Sequence, residues 1–443
     1  MKPCALGLTA FVICSSASAS ERLVTLPQAY QLALKHHPSL ELLAERVQQA
    51  DAARRSAWAA IKPTLGVQGS FTHYDKAITL DFGELFAGLL PPGTPQEPFE
   101  IQRRNQFAFA AQANLPLLRG PAYARIGASR RKLAAAEKQR LRSRQDFLLQ
   151  VARSYYQVLG EEETVRALEN KVEVDRRNLA AARARQSVGK SPRSETLRAE
   201  LVLTQDDQSL VRQRHLLQAS RRELAILVGL PGTVAVQRPA EAPRPQGSAK
   251  EMLRGATRDR ADLDAVELQL QAAGKAKQAA WWSFVPTLDL SWLYRWQETE
   301  GFAGERGSWN LVLTLDLPLY DGGLRYARLR EASSSVRAAT AEQRLLAQEI
   351  ERQIVRLRAE LAATEAGVIS AAKAVELART TAADISARYD VGAATQLDVL
   401  DAAQRQLEAE LALTGSRYTR ELARLALLHA MGRFPPDALS PRP

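Results

Sequence analysis

Asp398 and Asp401 stand three residues apart in a stretch of helical periodicity, so both carboxylates fall on one helix face. Such a pair can attract cations. Aspartate near a helix start also favours the helix dipole, so the spacing by itself serves either role. Gly189-Lys190-Ser191 has the closing letters of a phosphate-binding loop, but that loop needs glycine where this chain has Ala184. It also follows a helical stretch rather than a strand. The histidines His36, His37, His73, His215 and His429 lack metal-ligand spacing such as H-E-x-x-H. No nucleophile, base and orienting acid assemble from the spacing. The sequence therefore offers no catalytic residue, no metal site and no cofactor site. The chemistry on offer is electrostatic.

The 443 residues carry 60 Lys and Arg against 49 Asp and Glu, a formal net charge of +11. These cations are spread along helical stretches without interleaved aromatics, as on a solvated basic face, so nucleic acid is not an expected partner. Hydrophobic residues make up 46%, enough for a packed core, while aromatics are only 6%. Together with abundant Ala, Leu, Arg, Glu and Gln, this reads as long helices. Lys2, an apolar stretch from Ala5 to Cys14, and Ala17-Ser18-Ala19 follow the order of a signal peptide over residues 1–19. A lipidated cysteine needs a small residue before it, and Ile13 is not small. Cys4 and Cys14 are the only cysteines, so the exported chain has neither disulfide nor thiolate metal site. Past the signal there is no run of 18 apolar residues, and no transmembrane helix is expected.

The elements that must position Asp398 and Asp401 are written twice. Pro63-Thr64-Leu65 recurs as Pro286-Thr287-Leu288, and Trp58 meets Trp281 at the same offset of 223. Further on, an offset of 203 holds from Ala124-Arg125 to Gly229 and brings Val188-Gly189 onto Val391-Gly392. The reading is a first repeat over 20–231, with strands about 64–74 and 106–116 and a helical hairpin over 121–229. A proline-rich connector occupies 232–249. A second repeat fills 250–434, with strands about 287–297 and 309–318 and a hairpin over 324–431, and 435–443 are a tail. The change of offset places an insertion of about twenty residues within 75–104.

The strands have period two, and each is about ten residues long, the length a tilted strand needs to cross a bilayer. Leu311, Leu313, Leu315 and Leu317 face one way, with Asn310, Thr314 and Asp316 opposite. Trp292, Trp296 and Trp309 fall where an interfacial aromatic belt would. Four strands with an uncovered apolar face need a closed barrel, and four are too few to close one. Three chains would supply twelve. The proline-free stretches of about 66 residues predict helices near 100 Å long at about 1.5 Å per residue. Their apolar residues follow coiled-coil spacing, as in Leu141, Leu148, Tyr155, Val165, Leu168, Val172 and Leu179 and in Ile354, Leu357, Leu361, Val368 and Val375. Gly189 and Gly392 end the two long helices at matching points. With threefold symmetry Asp398 and Asp401 form a ring of six carboxylates. At ~6 Å each pair would repel by roughly 3 kcal/mol at an effective dielectric of about 20.

The run from Arg388-Tyr389-Asp390-Val391-Gly392 through Thr395-Gln396-Leu397-Asp398-Val399-Leu400-Asp401, with its weaker copy Ser187-Val188-Gly189-Lys190, resembles the TolC-type outer-membrane efflux channels. Leu26-Pro27-Gln28-Ala29 with Pro38-Ser39-Leu40 is similar to that family's mature start, and the resemblance covers residues 21 to 434. It implies a mainly α fold with a small β part. Long antiparallel coiled-coil hairpins would form a trimeric α-barrel, and four strands per chain would contribute to a 12-stranded transmembrane β-barrel. It also implies an outer-membrane location reaching into the periplasm of a Gram-negative cell, contact with outer-membrane lipid, and a homotrimer. That trimer would serve as the exit duct of a tripartite efflux pump or type I secretion system, docked through a periplasmic adaptor onto an inner-membrane pump.

By the same resemblance, Asp398 and Asp401 line the periplasmic entrance, with Glu195, Ser194 and Tyr389 at the gate. Ala394 stands where a gate arginine can occur. The turns Val188-Gly189-Lys190 and Val391-Gly392-Ala393 are the expected adaptor contacts. The reading from another class is a periplasmic coiled-coil adaptor or scaffold without a pore, which would leave the amphipathic strands without a role.

Overall fold

The computed structural model describes residues 22–80, 99–298 and 305–435. The signal-peptide reading over 1–19 and most of the tail lie outside the described residues, as does the middle of the insertion. In chain order the elements are β1 (Arg22–Val24), α1 (Leu26–His36), α2 (Pro38–Ala59), β2 (Thr64–His73), β3 (Ile78–Leu80), β4 (Phe99–Gln102), β5 (Asn105–Leu118), α3 (Gly120–Ser187) and α4 (Arg193–Leu227). There follow β6 (Val234–Val236), α5 (Ala249–Asp259), α6 (Ala261–Trp282), β7 (Thr287–Gln297), β8 (Gly307–Asp316), α7 (Leu324–Asp390) and α8 (Gln396–Ala430). The chain is mainly helical with a small β part. Two compact units result, and each draws segments from both halves of the sequence.

The first unit comprises Met1–Leu43, Leu141–Ala261 and Ala347–Pro443. Its core follows a seven-residue spacing. Val151, Val158, Val165, Val172 and Leu179 of α3 are buried, and so are Leu210, Leu217 and Leu224 of α4. A repeat of seven keeps one seam facing the partner helix. Leu141 is not in that seam; it is 45% exposed. The reason is length. Paired back from the turn near residue 190, α4 stops at Leu227 and has no residue to set opposite position 141. Closer in, Tyr155 is fully buried and ties the ends of the chain segments together. Its hydroxyl donates to the Gln237 carbonyl at 2.5 Å and accepts from the Gln237 amide at 3.0 Å. β6, inside the stretch read as a connector, pairs in parallel with β1.

The second unit comprises Ala44–Arg140 and Asp262–Leu346. It holds a four-stranded antiparallel sheet in the order β2-β5-β7-β8. Leu65 sits opposite Ala113, Phe109 opposite Trp296, and Trp292 opposite Leu311. β2 and β8 are the sheet's two edges, with no further strand on either side among the described residues. No helix of the described residues is long and apolar enough to cross a membrane.

Candidate functional site

The sheet's register sorts its side chains into two faces, because residues directly opposite across an antiparallel pair point the same way. One face carries Leu65, Val67 and Phe71, then Phe107, Phe109 and Leu115, then Leu288, Leu290, Trp292, Tyr294 and Trp296, and finally Trp309, Leu311, Leu313 and Leu315. The other carries Gln68, Ser70, Gln106, Gln112, Asn114, Asp289, Ser291, Arg295, Asn310 and Thr314. The apolar face lies open: Leu65 is 84% exposed and Leu315 66%. Trp296, Tyr294 and Trp309 gather at the β7–β8 turn end, in line with Phe109, Phe107 and Phe71. Trp292 lies nearer the helical end, opposite Leu311 and Ala113, stacked with Tyr294 at 6.5 Å. On the polar face Arg119 pairs with Asp289 at 3.1 Å.

The second candidate site is the pair of turns in the first unit. Gly189 and Gly392 have φ of +72° and +80°, where any side chain would be strained. Each closes its helix with a six-residue hydrogen bond, Lys190 N to Arg185 O at 2.9 Å and Ala393 N to Arg388 O at 2.8 Å. Val188, Lys190 and Ala393 are exposed with these glycines, and Val391 is 80% exposed.

Asp398 is the third residue of α8 and belongs to a capping box. The Thr395 hydroxyl donates to Asp398 Oδ2 at 2.7 Å and the Thr395 amide donates at 2.8 Å. These two donors hold its carboxyl below the ordinary carboxylate range. Asp401 points along the same face and pairs with Arg405 at 2.9 Å. In the first turn the geometry differs. Pro192 caps α4 without a side-chain bond, Ser191 donates to Glu195 Oε2 at 2.6 Å, and Ser194 is exposed.

Two arrangements escape a sequence reading. Arg185, near the end of α3, stacks its guanidinium 3.9 Å over the Tyr389 ring and lies 3.6 Å from the Asp390 carboxylate. It thereby fastens the end of α3 to the end of α7. The second is a buried triad in the α3–α4 seam. Lys171 Nζ donates to both oxygens of Asp175 at 2.5 and 2.7 Å and to Asp206 at 2.9 Å. Burial, and then the neighbouring Asp206, push the Asp175 carboxyl up to about 6 against the pull of Lys171. The signal for it was present. At the offset of 203 the second copy has Ala374, Ala378 and Ala409 in these places.

Among the described residues no group of three His, Cys, Asp or Glu is placed to hold a metal ion. The arrangement offers a two-faced sheet and a tip of exposed apolar and acidic side chains.

The model of a family described as outer membrane efflux protein matches residues 29–230 and 253–433. The outer membrane efflux protein BepC of Brucella suis is 26% identical over 326 residues, 70% of this chain and 70% of that protein. The outer membrane protein OprJ of Pseudomonas aeruginosa is 30% identical over 183 residues, covering 39% of this chain and 37% of its own length. Among solved structures, the outer membrane protein VceC of Vibrio cholerae shares the fold, with a TM-score of 0.76 at 22% identity, covering 92% of this chain and 96% of that one.

Proposed function

Because the chain belongs to the outer membrane efflux protein family, and so provides an exit duct in the outer membrane of a Gram-negative cell, we propose that three copies assemble around one pore. The two-faced sheet carries this reading. Its apolar face needs hydrocarbon, its polar face needs water, and its two edges need strands. Closing three such sheets edge to edge, β2 of one copy against β8 of the next, meets all three needs with twelve strands. We read the two copies of helix, strands and long helical hairpin as tandem structural repeats, whose α3–α4 and α7–α8 hairpins continue the pore as an α-barrel in the periplasm.

Asp398 and Asp401, with Glu195, Ser194 and Tyr389, line the periplasmic entrance in this reading. The six aspartates would draw cations to the mouth. Asp398 has a second task, since it also caps α8. Arg185 takes part of the closing role that an arginine at position 394 could have had, because its stack on Tyr389 joins two helix ends. The exposed turns at Val188-Gly189-Lys190 and Val391-Gly392-Ala393 are the surface offered to a periplasmic adaptor, and the adaptor joins the duct to an inner-membrane pump.

Oligomeric mass in detergent, followed by single-channel recording in planar bilayers, tests the assembly. A trimer giving small, cation-selective steps is the expected result. A monomer that passes no current would leave only a scaffold.

A further inference from the structure

Four stretches lead into or out of the sheet at its helical end, residues 55–63, 119–130, 275–286 and 320–330. They hold ten Lys and Arg and a single acidic residue, Asp321. The adjoining stretches of the same helices, 44–54, 131–140, 262–274 and 331–346, hold eight of each sign. Aromatic residues divide the same way, seven in the stretches beside the sheet and none in those beyond. A basic surface serving only solubility would run evenly along the helices. This one stops within the first three helical turns from the sheet.

Most of the cations beside the sheet have no carboxylate partner, although Arg130 stacks over the Trp58 ring at 5.0 Å and Lys275 Nζ donates to Gln278 at 3.1 Å. Arg55, Arg119 and Arg325 have carboxylate partners in Asp51, Asp289 and Asp321. The other seven are exposed and have no ion-pair partner among the described residues: Lys62, Arg125 and Arg130, Lys275 and Lys277, Arg328 and Arg330. Four of the seven aromatics at this level are exposed too, while Trp58, Trp282 and Phe284 are partly covered. Tyr320 is 88% exposed, and Tyr326, Trp281 and Tyr123 are each about half exposed or more.

We propose that these residues form a belt that binds the anionic phosphodiester headgroups of acidic phospholipids in the leaflet at the sheet's helical end. The proposal rests on reading the sheet as membrane-embedded. Where the apolar face ends the hydrocarbon ends, and the next layer out holds headgroup phosphates. Amphipathic rings sit at that level, and cations there gain from a negative surface. Arginine adds a planar fork that matches phosphate oxygens. The attraction fades within a Debye length of about 8 Å, which explains why the adjoining stretches need no surplus of cations.

The test reconstitutes the full-length trimer into vesicles of equimolar phosphatidylethanolamine and phosphatidylglycerol, extracts it gently, and measures the retained lipid by mass spectrometry. Phosphatidylglycerol should be enriched roughly five-fold over phosphatidylethanolamine. Replacing Lys62, Arg125, Lys277, Arg328 and Arg330 by Gln should return the ratio to that of the vesicle. Replacing Arg131, Lys132, Arg140, Arg337 and Arg344 by Gln removes equal charge farther along the helices and should leave the enrichment intact. Unenriched lipid on the wild type, or equal loss in both variants, overturns the belt. So does wild-type binding to purified peptidoglycan through the same five residues without lipid enrichment. A chain that enters no vesicle fails earlier and overturns the membrane reading itself.

Discussion

Arg185 and Asp401 act at the scale of single residues, and each can be removed without unmaking a helix. The stack of Arg185 on Tyr389 is partly exposed, where such contacts contribute about 0.5–1 kcal/mol. Arg185→Ala should therefore shift the closed-to-open ratio of single channels by roughly two- to five-fold toward open. Arg185→Lys keeps the charge near Asp390 but not the planar stack, and should fall between. Asp401→Ala should raise conductance and weaken block by multivalent cations. It is the cleaner probe of the carboxylate ring, because Asp398 also caps α8 through Thr395. Currents identical to wild type in Asp401→Ala would take that residue out of the entrance.

At the scale of the element, α3 and α4 form a seam of seven-residue repeats interrupted by a buried charged triad. Lys171, Asp175 and Asp206 bring two carboxylates to one ammonium, leaving a buried excess of negative charge. Such a layer costs stability and favours one register, since a shifted pairing would take Asp206 of α4 away from Lys171, which keeps only Asp175 of its own helix. The sign of its pH response follows from the raised carboxyl. Asp175 favours the folded hairpin most below about pH 4, and that contribution is lost as the pH rises from 3.8 through about 6. Wild-type helical stability should therefore gain from this group when the buffer is taken from pH 7 to 5. Asp175→Asn should flatten the gain, and the same pH response in both proteins would assign it to another group. Lys171→Ala should cost about 3–5 kcal/mol, because two carboxylates then lack their counter-ion. The α7–α8 hairpin has Ala374, Ala378 and Ala409 at the matching places and so lacks this triad.

At the scale of the whole molecule, the open edges β2 and β8 decide the assembly. Within one chain they are separated by β5 and β7. Three strand spacings of about 4.8 Å put them roughly 14 Å apart, too far for a disulfide. The described residues contain no cysteine, so introduced ones report without background. A scan pairing Leu65→Cys, Val67→Cys or Gly69→Cys with Trp309→Cys, Leu311→Cys or Leu313→Cys uses residues of one sheet face. On oxidation at least one pair should give cross-linked dimers and trimers in denaturing gels. Monomers alone across the whole scan would argue against edge-to-edge closure. The lipid belt belongs to the same scale, since three copies would place its cations all around the barrel's base.

Local spacing settled a good deal before any fold was known. Alternation in the strands and seven-residue repeats in the helices depend on neighbours a few positions away, so a mainly helical chain with a small two-faced sheet is legible in the residues. The run around Tyr389 and Asp398 carried the family resemblance for the same reason. Leu141 shows the boundary of such reading: it keeps the helical spacing, yet α4 ends before it can be covered. Tertiary structure alone decided which distant residues meet. Arg185 and Tyr389 are 204 positions apart and touch only because two helix ends are brought side by side. Cations that look evenly spread along the chain become a belt because four separate stretches reach the sheet at one end. Periodicity records which way a side chain faces, whereas contact between remote segments is set by packing, and packing is decided by the whole chain at once.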